Sequence, residues 1–137
     1  MNHIGYIQLR SKLQKLAWYF SAGFLFVYLL DYVPGIMAEN GKMFGLFSMT
    51  PIVDFGHLAL GALAALAAWH SAKAARIYFY ALGVWYGLDV VMFFFSHLST
   101  MSLPVNLAVN MPHLLTSIAA FWIAINVERS HAAPAHS

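Results

Sequence analysis

Residues 51–70 read Pro51-Ile52-Val53-Asp54-Phe55-Gly56-His57-Leu58-Ala59-Leu60-Gly61-Ala62-Leu63-Ala64-Ala65-Leu66-Ala67-Ala68-Trp69-His70. At about 1.5 Å of rise per residue this run covers roughly 30 Å, the thickness of a bilayer's hydrocarbon core, so it reads as a membrane-spanning helix. Thr50 or Ser48 ahead of Pro51 supplies a start: a hydroxyl can accept from the first turn, and proline lacks an N–H that would have no partner there. The run carries an aspartate and a histidine near that start. His57, Gly61, Ala64 and Ala68 fall at offsets of four, seven and eleven, which places them on one helix face. The stretch from Asn110, Asn-Met-Pro-His-Leu-Leu-Thr-Ser-Ile-Ala-Ala-Phe-Trp-Ile-Ala, repeats the spacing as His113, Ser117, Ala120 and Ala124. Both histidines are therefore expected to face protein, not lipid.

The composition agrees. Across 137 residues 61% are hydrophobic and only 9% charged, which excludes an ordinary soluble domain. Four segments are long enough to cross a membrane: Leu16–Val33, Ile52–Trp69, Ala75–Phe95 and Val105–Val127. They are continuous apolar runs, whereas a transmembrane barrel needs alternating segments of about 10 residues. The sequence thus predicts an all-α polytopic membrane protein, a four-helix transmembrane bundle over residues 16–127. A lead-in over 1–15 and a disordered tail over 128–137 flank it.

Charge sets the expected orientation. Arg10, Lys12 and Lys15 precede the first span, Lys73 and Arg76 lie between the second and third, and Arg129 follows the fourth, while Lys42 stands alone on the other side. The positive-inside bias puts both termini in the cytoplasm and the protein in the cell inner membrane, as a multi-pass lipid-bilayer protein. Pro34-Gly35 is expected to end the first span, and residues 35–50 to lie as an apolar loop over the bundle's outer side. The short basic link around His70-Ser71-Ala72-Lys73 makes spans two and three antiparallel neighbours. Pro112 is expected to kink the fourth span or free a carbonyl.

The two halves also correspond. Tyr28-Leu29-Leu30-Asp31-Tyr32-Val33 matches Tyr86-Gly87-Leu88-Asp89-Val90-Val91, and each aspartate precedes its histidine by a similar interval. Two helix-pair repeats with pseudo-twofold symmetry along the membrane normal follow from this reading. Gly83 and Gly87 have the spacing that lets membrane helices approach closely, either within the fold or in a homodimer or membrane-complex partner.

Several of these motifs together carry a resemblance: Gly45-Leu46-Phe47, Pro51 through Gly61 with His57, Ala74-Ala75-Arg76-Ile77-Tyr78, and Asn110-Met111-Pro112-His113-Leu114-Leu115. Over roughly residues 16–127 the chain resembles small four-span bacterial membrane proteins catalogued only as a domain of unknown function. Asp54 stands where that pattern has an amide, and Ser117 replaces its second glycine. The resemblance implies fold and location and no activity.

The functional candidates are the ionisable groups within the spans. Counting about 1.5 Å per residue, His57, Asp89 and His113 lie roughly 9–12 Å below the outer surface and Asp31 only about 3 Å. A charge at depth costs about 3 kcal/mol on insertion scales, so these groups must pair, lose charge or bind something. One reading is a satisfied, purely structural polar core. A second is a divalent metal such as zinc, on Asp89, His57 and His113 with Asp54 or Asp31 completing the set. A third is haem b with His57 and His113 as axial ligands. A fourth is proton or ion permeation by an oligomer. Lipid or pigment binding by the aromatic surface is also open. No phosphate-cradling loop, serine nucleophile motif or basic aromatic surface is present, which argues against a hydrolase, a kinase and a nucleic-acid partner and favours binding over catalysis.

Overall fold

The computed structural model describes residues 11–128; the lead-in before Ser11 and the tail from Arg129 lie outside the described residues. Four helices, α1 (Lys12–Leu30), α2 (Pro51–His70), α3 (Ala72–Ser96) and α4 (Leu103–Asn126), are each long and apolar enough to cross a membrane. Between α1 and α2 lies a small antiparallel hairpin, β1 (Lys42–Met43) and β2 (Phe47–Ser48), with Met43 opposite Phe47. The chain is a four-helix membrane bundle.

Helix ends follow local chemistry, with three corrections to the expected boundaries. α1 begins at Lys12, ahead of Leu16, because Ser11 and Gln14 form a reciprocal capping box, each side chain 3.1 Å from the other's backbone nitrogen. It stops at Leu30, ahead of Val33. Asp31 caps it, three residues ahead of Pro34, which cannot continue the helical ladder, and Gly35 takes a left-handed φ of +86° beyond. The loop over 35–50 is partly ordered as the hairpin, helped by a Met37–Met43 bridge. At the second link, Ser71 alone joins α2 to α3: it terminates one helix and accepts from Ala74 N of the next at 3.0 Å, and Lys73 lies inside α3. α2 starts as expected, on Thr50 with proline in its first turn. α4 continues through Pro112 as a single helix.

α1 packs along α2 and α4 along α3, and α3 also touches α1 and α2. Both small-residue stripes are buried: Gly61, Ala64 and Ala68 on α2, Ser117, Ala120 and Ala124 on α4. Large apolar side chains such as Phe26, Leu66, Trp85, Ile118 and Trp122 point outward instead. That inversion fits a lipid surround, where small residues permit close helix approach and burying a leucine gains nothing over leaving it in hydrocarbon.

Gly83 and Gly87 serve this packing. A Cβ at Gly83 would lie 2.8 Å from the Phe121 ring, and one at Gly87 3.2 Å from the Ser117 hydroxyl. Both glycines therefore face α4 of the same chain. One end of the bundle is clamped. Gln14 donates to Ala68 O at 2.8 Å, Arg76 donates to Ala124 O and to Val127 O, and Lys12 N donates to the Glu128 carboxylate. At the other end, under the hairpin, the helices line a cavity that is open on one side.

Candidate functional site

The close approach of α3 and α4 places the first pair of candidate residues. Ser117 donates to Gly83 O at 2.7 Å, and a Cβ added at Gly83 would lie 2.8 Å from the Phe121 ring of the same helix α4. Four residues back along α4 and six residues on along α3, this register brings His113 Nδ1 to 2.6 Å from Asp89 Oδ2. Neither residue is sealed, with 35% and 46% of the side chains accessible. Tyr86, three residues before Asp89, packs its ring 4.5 Å from the His113 ring.

From Tyr86 a series of rings crosses to the other helix pair. Tyr86 stacks almost parallel on Phe24 of α1, and Phe24 lies 6.1 Å from the His57 ring of α2. His57 Nδ1 meets the carbonyl of Val53, one turn back, at 2.9 Å. The two imidazoles therefore stand at opposite ends of one aromatic series.

Both line a single cavity of about 970 Å³, with Phe20, Gly23, Phe24 and Val27 of α1 on one side and Val109, Asn110 and Thr116 of α4 on the other. The hairpin residues Lys42, Met43, Phe44 and Phe47 line its upper part. Its volume lies near the top of the range for small-ligand sites, about 300–1,000 Å³, and its lining is mostly apolar with a few polar groups, as in such sites.

His97 joins this lining from the end of α3, its Nδ1 3.0 Å from Phe93 O and its ring stacked on Phe93 at 4.1 Å. His97 is not among the site candidates read from the sequence. Its one signal is shared with His57: a histidine four residues after a carbonyl it can reach along its own helix.

The five proposed metal ligands do not come together. Asp89 is taken up by His113. Asp54, 7% exposed, accepts at Oδ2 from the Tyr32 hydroxyl at 3.2 Å, and its Oδ1 is buried without a hydrogen-bond partner among the described residues. Asp31 sits at the end of α1 and makes no hydrogen bond to His57, so the Asp89–His113 bond has no counterpart in the first helix pair. Among the described residues no three His, Asp or Glu side chains are grouped to hold a metal ion. The reason is register: α1 ends a turn earlier than its proline suggests, leaving Asp31 at the rim, and Asp54 turns toward Tyr32 on that same loop. There the phenol of Tyr32 is raised above its ordinary value, by its hydrogen bond with Tyr28 first and then by that with Asp54.

The polar lining is completed by Asn110. It donates to Asn106 Oδ1 at 3.0 Å, and Asn106, wholly buried, donates to Phe94 O at the same distance. This pair ties α4 to the end of α3 next to the cavity.

Residues 14–126 match the family model of a domain of unknown function, DUF4383. No curated protein and no solved structure matches the chain.

Proposed function

Because the chain belongs to the DUF4383 family, a domain of unknown function, its activity has to be argued from its own residues, and we propose that it binds a small, largely apolar molecule drawn from the membrane. The ligand occupies the cavity under the hairpin, with His57 and His113 as its polar contacts. One observation carries this reading: imidazoles from both helix pairs line one cavity of about 970 Å³, each with Nδ1 already bonded and Nε2 making no hydrogen bond among the described residues. A purely structural polar core accounts for the Asp89–His113 pair but gives no role to His57, whose Nε2 is left without a hydrogen bond among the described residues in the same cavity. Binding, not turnover, is the proposed role.

The metal and haem readings draw on the same two nitrogens. A histidine that donates Nδ1–H to a carbonyl or carboxylate is oriented to offer Nε2 to a metal. Haem b on His57 and His113 has less support, because the rings of Phe24 and Tyr86 stand between the two imidazoles, and so has a zinc site on His57, His113, Asp89, Asp54 and Asp31, because Asp89 and Asp54 are bonded elsewhere and Asp31 lies at the rim. The repeated histidine motifs support two related helix pairs closing over one site. The placement of basic residues supports termini in the cytoplasm.

Native mass spectrometry of detergent-purified protein tests the binding reading. We expect one retained apolar molecule in the wild type and its loss in Gly23→Leu, since Gly23 lines the cavity and a Cβ there meets nothing within 4 Å. Retention by that variant, or a wild type that carries nothing and whose melting no tailed aromatic probe raises, refutes it. A visible haem spectrum or a stoichiometric metal would instead establish the second reading.

A further inference from the structure

We infer that the cavity selects a molecule whose polar head is a hydrogen-bond donor, a phenol or hydroquinone on an apolar tail, over its carbonyl counterpart, and that His113 is the acceptor. This rests on the binding reading above and names the ligand's chemical class.

The argument starts from what each imidazole touches. His57 Nδ1 lies 2.9 Å from Val53 O and His97 Nδ1 3.0 Å from Phe93 O. A backbone carbonyl can only accept, so in each ring the proton is on Nδ1 and the neutral ring keeps a lone pair on Nε2. His113 Nδ1 lies 2.6 Å from Asp89 Oδ2, and an ionised carboxylate likewise only accepts, which gives the neutral ring the same tautomer. Three histidines on three helices thus line one cavity with the same polarity, each presenting an acceptor. The nearby Asn110 commits one amide N–H to Asn106 and keeps a carbonyl oxygen that accepts and a second N–H that donates. Donors in the lining are Lys42 on the hairpin and the hydroxyls of residues such as Thr50 and Tyr86, so the acceptor bias is local to the three imidazoles.

A cavity with this bias favours a donor-bearing head. A quinone presents only carbonyl oxygens, which at an imidazole would meet a lone pair and leave both groups unpaired there. A hydroquinone presents two hydroxyl protons. Among the three rings His113 is the one whose Nδ1 is held by a side-chain carboxylate, which fixes the ring with its far nitrogen free to accept. Phe20, Phe24, Tyr86 and Phe93 give the lining flat apolar faces for a ring. From the level of Leu30 the lining of α1 continues to Tyr19, which is 72% exposed on the lipid side, so a tail has about 16 Å of helix to follow toward hydrocarbon.

A matched probe pair tests this: a decyl-tailed benzohydroquinone and the corresponding benzoquinone, offered anaerobically to the detergent-purified full chain. Apparent Kd is taken from the concentration dependence of the melting temperature. The hydroquinone is expected to bind about tenfold more tightly, the value of one neutral hydrogen bond gained and one acceptor not stranded. In His113→Phe, which keeps a ring against Tyr86 but removes the acceptor, that ratio should fall to near one. Equal or tighter quinone binding by the wild type overturns the inference while leaving a binding cavity in place. A ratio that survives His113→Phe overturns the assignment to His113. Binding of neither probe refutes the parent reading and this one with it, and the wild-type ratio stands as a test even if the variant fails to fold.

Discussion

Alanine substituted at two glycines of the bundle should have effects of opposite sign. In Gly83→Ala the new Cβ lies 2.8 Å from Phe121 Cδ2 and 2.9 Å from Cε2 and Cγ, the face of one ring and not the tip of a flexible chain. Carbon atoms pack best at about 3.5–4.0 Å, so the ring or the whole of α4 must move. Overpacking of this kind costs about 1–3 kcal/mol, against which alanine's better helix propensity returns about 1 kcal/mol, giving a net loss of up to about 2 kcal/mol. In Gly23→Ala the Cβ meets nothing within 4 Å, so only the gain of about 1 kcal/mol remains. The two variants are therefore expected to differ by about 1–3 kcal/mol in reversible unfolding by a denaturing detergent in mixed micelles. A double-mutant cycle with Phe121→Leu should recover most of the Gly83→Ala loss, because the smaller side chain removes the clash. If Gly83→Ala proves as stable as Gly23→Ala, α3 and α4 do not approach as described, and the register that sets His113 against Asp89 loses its basis. A loss that depends on protein concentration and ignores Phe121 would instead place Gly83 at a contact between copies.

Three further outcomes follow from individual contacts. Arg76→Gln removes the cation that two carbonyls at the end of α4 share, and a loss of about 2 kcal/mol is expected in the same unfolding assay; no change would mean the clamp contributes nothing. Tyr32→Phe leaves the buried Asp54 with neither oxygen hydrogen-bonded, which should cost about 1 kcal/mol and disappear in the Asp54→Ala background, where no carboxylate is stranded. The chain contains no cysteine, so single substitutions report topology cleanly: in intact cells an impermeant maleimide should label Ser99→Cys and spare Lys73→Cys, and the reverse pattern would invert the proposed orientation.

Much of the architecture was readable without coordinates. A bilayer offers the backbone no partners, so a run of about 20 apolar residues has to be a helix, and the four runs located all four spans. The stripes after His57 and His113 could be read for a related reason. Lipid already solvates large apolar side chains, so the faces that meet protein are marked by glycine, alanine and serine. The family's fold was legible from the same motifs. The hairpin was not, because two residues per strand carry no periodicity; nor was the early end of α1, which local backbone geometry around Asp31 and Pro34 decides.

What coordinates alone decided is who meets whom. Five intramembrane ionisable groups lie near one end in the sequence, but whether they form one cluster depends on helix register, and a rotation of one residue, about 100°, carries a side chain to another face. The packing joined His113 to Asp89, sent Asp54 to Tyr32, left Asp31 at the rim and brought His97 into a cavity where spacing gave it no role. The Gly83–Gly87 pair shows the same division: its spacing identifies a close helix approach, and only the ring of Phe121 and the hydroxyl of Ser117 identify α4 as the helix approached. Sequence determines which faces must be buried because that is a property of each helix and its solvent. Partnership is a property of pairs of surfaces, and it exists only once the chain has packed.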